Sequence, residues 1–238
     1  QGEYLDGHDY IKNAEQAGAS SIVLSNKKET KLPYIYTKNT LEFLNKFADY
    51  RRDKFQGKIL CLTGSNGKTT TKDLTEQILS KHYKVHKTLG NKNNQIGLPL
   101  TLVDLDQQDF SVIEIGTNFP GEISFLSKKV RPHVALITNA HNSHLKGLAN
   151  VESVAEEKGD IIDSLDGQGS IVLPSDSPFF DYWKKRSKGL NLVTFGKKKS
   201  STLRISYISR EINKRRIFFG VESKNFHLDC NIKTIGEH

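Results

Sequence analysis

The run Thr63-Gly64-Ser65-Asn66-Gly67-Lys68-Thr69-Thr70 directly follows the apolar stretch Ile59-Leu60-Cys61-Leu62. A strand that ends in a glycine-rich turn and restarts as a helix aims backbone N–H groups, and the positive end of the helix dipole, at one place. That place attracts phosphate. Lys68 can reach β- and γ-phosphates from it, and the Thr69 hydroxyl can sit on Mg²⁺. The run is shorter than the general phosphate loop, which has a glycine five positions before Gly67, where this chain has Leu62. The competing reading is a plain strand-to-helix turn with an exposed lysine.

Four further places carry residues suited to the same chemistry. Glu114 lies inside the apolar run Phe110 to Ile115, and an acid there needs a cationic partner or a metal. At a strand end of a nucleotide-binding sheet it can give Mg²⁺ a second support; the alternative is a salt bridge to a neighbouring helix. His141 and His144 follow the run Ile137-Thr138-Asn139, again past the end of a strand. Lys158 falls on the helical stripe of Val154, Ala155, Ile161, Ile162 and Leu165, so it points inward unless its long stem carries the ammonium back to the surface. A partly desolvated lysine has a lowered pKa and can react with CO₂ to give a carbamate, an anion able to ligate metal. Asn91, Asn93 and Asn94 crowd a turn-rich segment between Gly90 and Pro99, where amides can hold phosphate or carboxylate oxygens or merely shape a loop.

These residues need a scaffold that brings strand ends together. Strand-like runs at 58–63, 110–115, 133–138, 170–173 and 191–195 alternate with helix-like runs at 69–81, 121–129 and 151–165. Continuous apolar strands separated by helices predict an α/β fold, a mostly parallel sheet with helices on both faces. Ligands in such sheets sit beyond the carboxyl ends of the strands. Residues 1–50 read as part of a small α/β unit, 51–57 as a linker within the polar stretch Asp49 to Gly57, and 58–238 as the nucleotide-binding domain. The last runs, 203–209, 216–221 and 226–232, predict an antiparallel meander at the sheet edge, with Phe226, Leu228, Cys230 and Ile232 on one face.

Bulk composition narrows the class. With 26% charged and 36% hydrophobic residues, the 238-residue chain reads as soluble and globular. No apolar run approaches the roughly 18–20 residues of a membrane span. Cys61 and Cys230 both lie in strand-like runs, which suggests buried thiols in a reducing, cytoplasmic setting. The net charge of +8 is spread over dispersed basic clusters without interleaved aromatics, which favours anionic small molecules over nucleic acid.

Taken together, the motifs resemble the Mur ligases. The loop from Thr63 to Lys72 is similar to the family's ATP loop, the segment from Val112 to Ile123 to its metal-acid strand, and Ile137-Thr138-Asn139 with His144, then Glu157-Lys158-Gly159, to the rest of its central-domain set. The segment from Thr88 to Leu102 is most similar to the members that use D-alanyl-D-alanine, and that from Gly2 to Tyr10 to the end of the domain that binds the UDP substrate. The resemblance implies a cytoplasmic, monomeric, ATP-dependent amide ligase of peptidoglycan synthesis. It would join D-alanyl-D-alanine to UDP-N-acetylmuramoyl-tripeptide through an acyl phosphate. It further implies that Thr63 to Thr70 line the nucleotide, that Thr69 and Glu114 hold one Mg²⁺, and that His144 and carbamylated Lys158 support a second. Lys68 would neutralise the γ-phosphate, and Asn91 and Asn94 would contact the reacting phosphate or carboxylate. Two departures stand out. Pro174-Ser175-Asp176 replaces the family's Asn-Ala-Asp, and the chain stops at His238, before the adenine-contacting helix and the domain for the amino substrate. The piece is therefore expected not to ligate alone. Rival readings are a Mur ligase for another amino acceptor, a non-catalytic nucleotide-binding module and a nucleic-acid-dependent ATPase.

Overall fold

The computed structural model describes residues 5–142, 147–211, 213 and 216–233. A short 3₁₀ turn, Gly7–Tyr10, leads into α1 (Ile11–Gln16), and β1 (Ile22–Leu24) pairs in parallel with β2 (Tyr34–Tyr36). Helix α2 (Thr40–Lys54) begins where the Asn39 side chain accepts from the N–H groups of Leu41 and Glu42, an N-cap that satisfies two of the four amides a helix start leaves open. This helix corrects one expectation: the polar stretch from Asp49 to Gly57 is helical as far as Lys54. Its charges are fastened to the elements beside it. Arg52 donates to Val130 O at 2.6 Å and to Arg131 O at 2.7 Å, and Lys129 donates to Asp49 at 2.8 Å.

The rest is built on β3 (Lys58–Thr63), α3 (Lys68–Leu79), β4 (Val85–Lys87), α4 (Gly97–Val103), β5 (Phe110–Glu114), α5 (Glu122–Val130), β6 (Val134–Ile137), α6 (Val151–Gly159), β7 (Ser170–Pro174), α7 (Phe180–Arg186), β8 (Asn191–Gly196), β9 (Leu203–Glu211), β10 (Arg216–Glu222) and β11 (His227–Lys233). The strands form one sheet in the order β11-β10-β9-β8-β7-β6-β3-β5-β4, parallel from β4 to β9. Consecutive residues of a strand point to opposite faces. Cys61, Leu62 and Thr63 are each fully buried, as are Ser111, Val112 and Ile113, so the central strands are covered on both sides, which is the expected architecture. The chain leaves β3 toward β4 and β5 and then crosses to β6 on the other side. The carboxyl end of β3 is therefore the switch point at which such sheets take ligands.

Three short elements, β4, α4 and α7, lie where no regular element was expected. The helix predicted over 151–165 stops at Gly159 and resumes as a 3₁₀ turn at Ile162–Ser164. A Cβ at Gly159 would lie 2.8 Å from Arg186 Nη1 and 3.2 Å from the Trp183 ring, so the close packing of α7 explains the glycine there. The meander is antiparallel and at the edge, as its alternation predicts. Only Leu203 and Arg204 of β9 pair with β8. The remaining seven residues run past the carboxyl end of β8, an arm roughly 20 Å long at about 3.3 Å per residue. Phe226, just before β11, and Leu228 on β11 are exposed and Cys230 is half-buried, so of the two cysteines only Cys61 is in the core.

Candidate functional site

The turn after β3 is gripped by the strand beside it. Ser65 N donates to Asn139 O at 3.1 Å, Asn66 N to Asn139 Oδ1 at 2.9 Å, and Thr138 Oγ1 to Asn66 O at 2.7 Å. Gly64 is required by this grip, since a Cβ there would lie 1.8 Å from Thr138 Oγ1. Gly67 adopts φ 76° in open space, a conformation glycine takes at little cost. Thr71 N is the first amide to bond back into α3, to Gly67 O at 2.9 Å, so the amides of Lys68, Thr69 and Thr70 have no partner within the helix. Lys68 Nζ folds over the turn, 2.8 Å from Gly64 O, and burial lowers its pKa, partly offset by nearby Glu114.

Glu114 ends β5 beside this turn and is 2% exposed. Its Oε2 accepts from Thr69 Oγ1 at 3.0 Å and its Oε1 from Asn93 Nδ2 at 2.8 Å. Lys72 Nζ stands 3.7 Å from Oε2, itself 2% exposed. Thr88 Oγ1 receives the Glu114 N–H at 3.0 Å, which fixes the strand end. Thr63 Oγ1 is buried and has no hydrogen-bond partner among the described residues.

Lys158 faces inward and is 1% exposed. Among the described residues no hydrogen bond or ion pair holds its ammonium. Burial, and then the positive charge of Lys68, lower its pKa from 10.5 to about 8, with Glu157 acting the other way. Lys158 is thus near enough to Lys68 to feel its charge. Glu157 explains the inward orientation of Lys158. Its carboxylate accepts from Gly121 N at 2.7 Å, Ile123 N at 2.8 Å and Thr117 Oγ1 at 3.1 Å. It caps α5 from a neighbouring helix and so fixes the rotation of α6. On the far side Trp183 Nε1 donates to Ala155 O at 2.9 Å, and Arg186 holds Asp160 at 2.9 Å.

Of the residues singled out in the sequence, Thr63, Gly64, Ser65, Asn66, Gly67, Lys68, Thr69 and Thr70 form the turn and first helical residues, Glu114 meets Thr69, and Lys158 is buried nearby. His144 lies outside the described residues. Asn94 Oδ1 is committed to its own turn, accepting from Ile96 N at 3.1 Å and Gly97 N at 2.8 Å, and Asn91 is exposed. The asparagine that reaches the site is Asn93, which sequence reasoning left among the loop residues. Lys72 was missed altogether. Its signal was its place four residues after Lys68, on the same helical face. Among the described residues no three His, Cys, Asp or Glu side chains cluster as a metal cage, and no helix is long and apolar enough to cross a membrane.

The sequence profile of the Mur ligase middle domain matches residues 62–238. The chain belongs to the Mur ligase family. This span runs from the end of β3 through all the site elements. Among its relatives in the family, the UDP-N-acetylmuramoyl-tripeptide–D-alanyl-D-alanine ligase of Buchnera aphidicola is 32% identical over 240 residues, which is 100% of this chain and 52% of that protein. The ligase of the same name from Bacillus subtilis is 37% identical over 183 residues, 75% of this chain and 40% of that protein. Two solved structures are similar throughout. MurF from Acinetobacter baumannii aligns with a TM-score of 0.86 and 28% identity, covering 100% of this chain and 52% of its own. MurF from Thermotoga maritima in complex with ADP aligns at 0.80 and 27%, covering 98% and 54%. The chain spans about half the length of these Mur ligases.

Proposed function

We propose that the protein is an ATP-dependent amide ligase that joins D-alanyl-D-alanine to UDP-N-acetylmuramoyl-tripeptide in peptidoglycan synthesis. The observation that carries the reading is the convergence of Lys68, Thr69 and Glu114 at the switch point of the sheet, with Lys158 buried near enough to Lys68 to feel its charge, in a chain whose relatives bear that name.

The chemical problem is to bring two anions together, a γ-phosphate and a carboxylate. The ammonium of Lys68 and the open amides at the start of α3 lower the repulsion, and positioning accounts for most of the rest. The donor set fits Mg²⁺: the Thr69 hydroxyl and the Glu114 carboxylate are hard oxygens 3.0 Å apart, few enough to leave the other positions of an octahedron to water and phosphate. When bound, Mg²⁺ neutralises charge on the transferring phosphate. Asn93 holds the other Glu114 oxygen and so orients the carboxylate. Lys158, with a pKa near 8, is neutral in roughly one molecule in ten at pH 7, far more than a lysine at its ordinary value. Its amine can add CO₂ and release a proton, leaving a carbamate suited, with His144, to a second ion. Asn91 and the amide of Asn94 are left to meet substrate oxygens. We assign residues 1–50, apart from α2, whose Ala48 lies in the core of the central unit, to part of a UDP-substrate domain and 58–238 to the ATP-binding domain, in a cytoplasmic monomer.

The test is phosphate release by the complete protein supplied with ATP, UDP-N-acetylmuramoyl-tripeptide and a panel of amine acceptors. D-Alanyl-D-alanine should support turnover, and Lys68→Ala should abolish it. Turnover with a different acceptor alone would reassign the substrate, and release stimulated by nucleic acid alone would overturn the reading.

A further inference from the structure

Lys68, Thr69 and Glu114 have roles in the reading above; Lys72, the last residue of the loop that resembles the family's, has none, although it is sealed against the same acid. Lys72 is 2% exposed, a degree of burial that lysine adopts almost only when paired. Its ammonium lies 3.7 Å from Glu114 Oε2 and 3.8 Å from Asp73 Oδ1. Asp73 is half-exposed and already bonded to Lys87 at 3.0 Å. Glu114 is therefore the buried partner of Lys72, and Lys72 is the one cation within salt-bridge distance of Glu114 among the described residues. The other contacts of the carboxylate are neutral, the Thr69 hydroxyl and the Asn93 amide.

We infer that Lys72 is a built-in counter-ion that makes divalent-metal binding at Glu114 conditional on nucleotide. The Lys72–Glu114 pair is neutral as it stands. A divalent ion on Oε2 would place two more positive charges within a few ångströms of a buried ammonium, where water screens poorly. Phosphate oxygens at the start of α3 bring the negative charge that offsets this, so metal and nucleotide enter together. Lys72 also spares Glu114 from standing as an uncompensated buried anion before they arrive. It touches no reacting atom, and is a positioning residue whose charge sets the order of assembly. The inference rests on the metal-dependent ligase reading, and its test separates the two.

Mn²⁺ binding to the complete protein is read by electron paramagnetic resonance with and without ADP. The natural protein should bind Mn²⁺ weakly alone and much more tightly with ADP. Lys72→Met should tighten nucleotide-free binding at least tenfold and shrink the gain from ADP. A merely structural Lys72 would leave nucleotide-free affinity unchanged or weaken it, and that result would overturn the inference. If Lys72→Met is unfolded without metal, the same titration is followed by circular dichroism. Refolding by Mn²⁺ alone supports the counter-ion role, and failure to refold overturns it. Absence of ADP-dependent Mn²⁺ binding in the natural protein would instead count against the metal site itself.

Discussion

At the scale of single residues, the site is governed by charges placed where water cannot reach them. Lys158 gives the clearest consequence. Its ammonium loses its proton near pH 8 in the folded protein, against 10.5 for the ordinary side chain. Between those values the unfolded chain holds more protons than the folded one, so stability rises with pH across that window, while below pH 8 the full unfavourable contribution is present. In CO₂-free buffer, urea unfolding at pH 8 and pH 10.5 should show the natural protein gaining stability relative to Lys158→Met. A flat or falling difference would refute the buried-ammonium assignment. With ¹³C-bicarbonate, the natural protein should show a carbamate carbon signal that Lys158→Met lacks.

At the scale of elements, the turn and the helix caps do the positioning, and two glycines three residues apart make distinct predictions. Gly64→Ala drives a methyl group into Thr138, to within 1.8 Å of its hydroxyl. It should displace the turn and weaken binding of a non-hydrolysable ATP analogue by tenfold or more in calorimetry. Gly67→Ala meets no atom within 4 Å and should cost only the left-handed strain, about 1 kcal/mol. Equal losses for the two would show that the grip of β6 on the turn is unimportant. Glu157→Ala removes a carboxylate that takes three hydrogen bonds at the start of α5. It leaves the Gly121 and Ile123 amides unsatisfied, for a loss of roughly 3 kcal/mol in urea unfolding. Such a variant should also lower the pKa of Lys158 further, since Glu157 is the anion that raises it.

At the scale of the whole molecule, α2 behaves as part of the central unit rather than as a tether. Ala48 is fully buried, and Arg52, Asp49 and Asp53 bond to the end of α5 and the residue after it. Native-state hydrogen exchange should therefore show α2 amides opening with α5. Exchange of α2 at much lower free energy would restore the flexible linker that its polar composition suggested.

Much of this protein was legible in one dimension. The phosphate turn, the parallel strands around it and the inward face of Lys158 follow from residues within a few positions of one another. Hydrophobic period and turn chemistry are local properties, and each left a local mark. The tertiary structure alone decided the contacts that complete the site. Asn93 and Lys72 converge on Glu114 from a loop and a helix 21 and 42 residues away, Asn139 grips a turn 73 residues away, and Glu157 caps a helix formed some 34 residues earlier. Such pairings have no period in the sequence. Lys72 stands among threonines and an aspartate and reads as a solvated helix surface until the sheet places a buried carboxylate beside it.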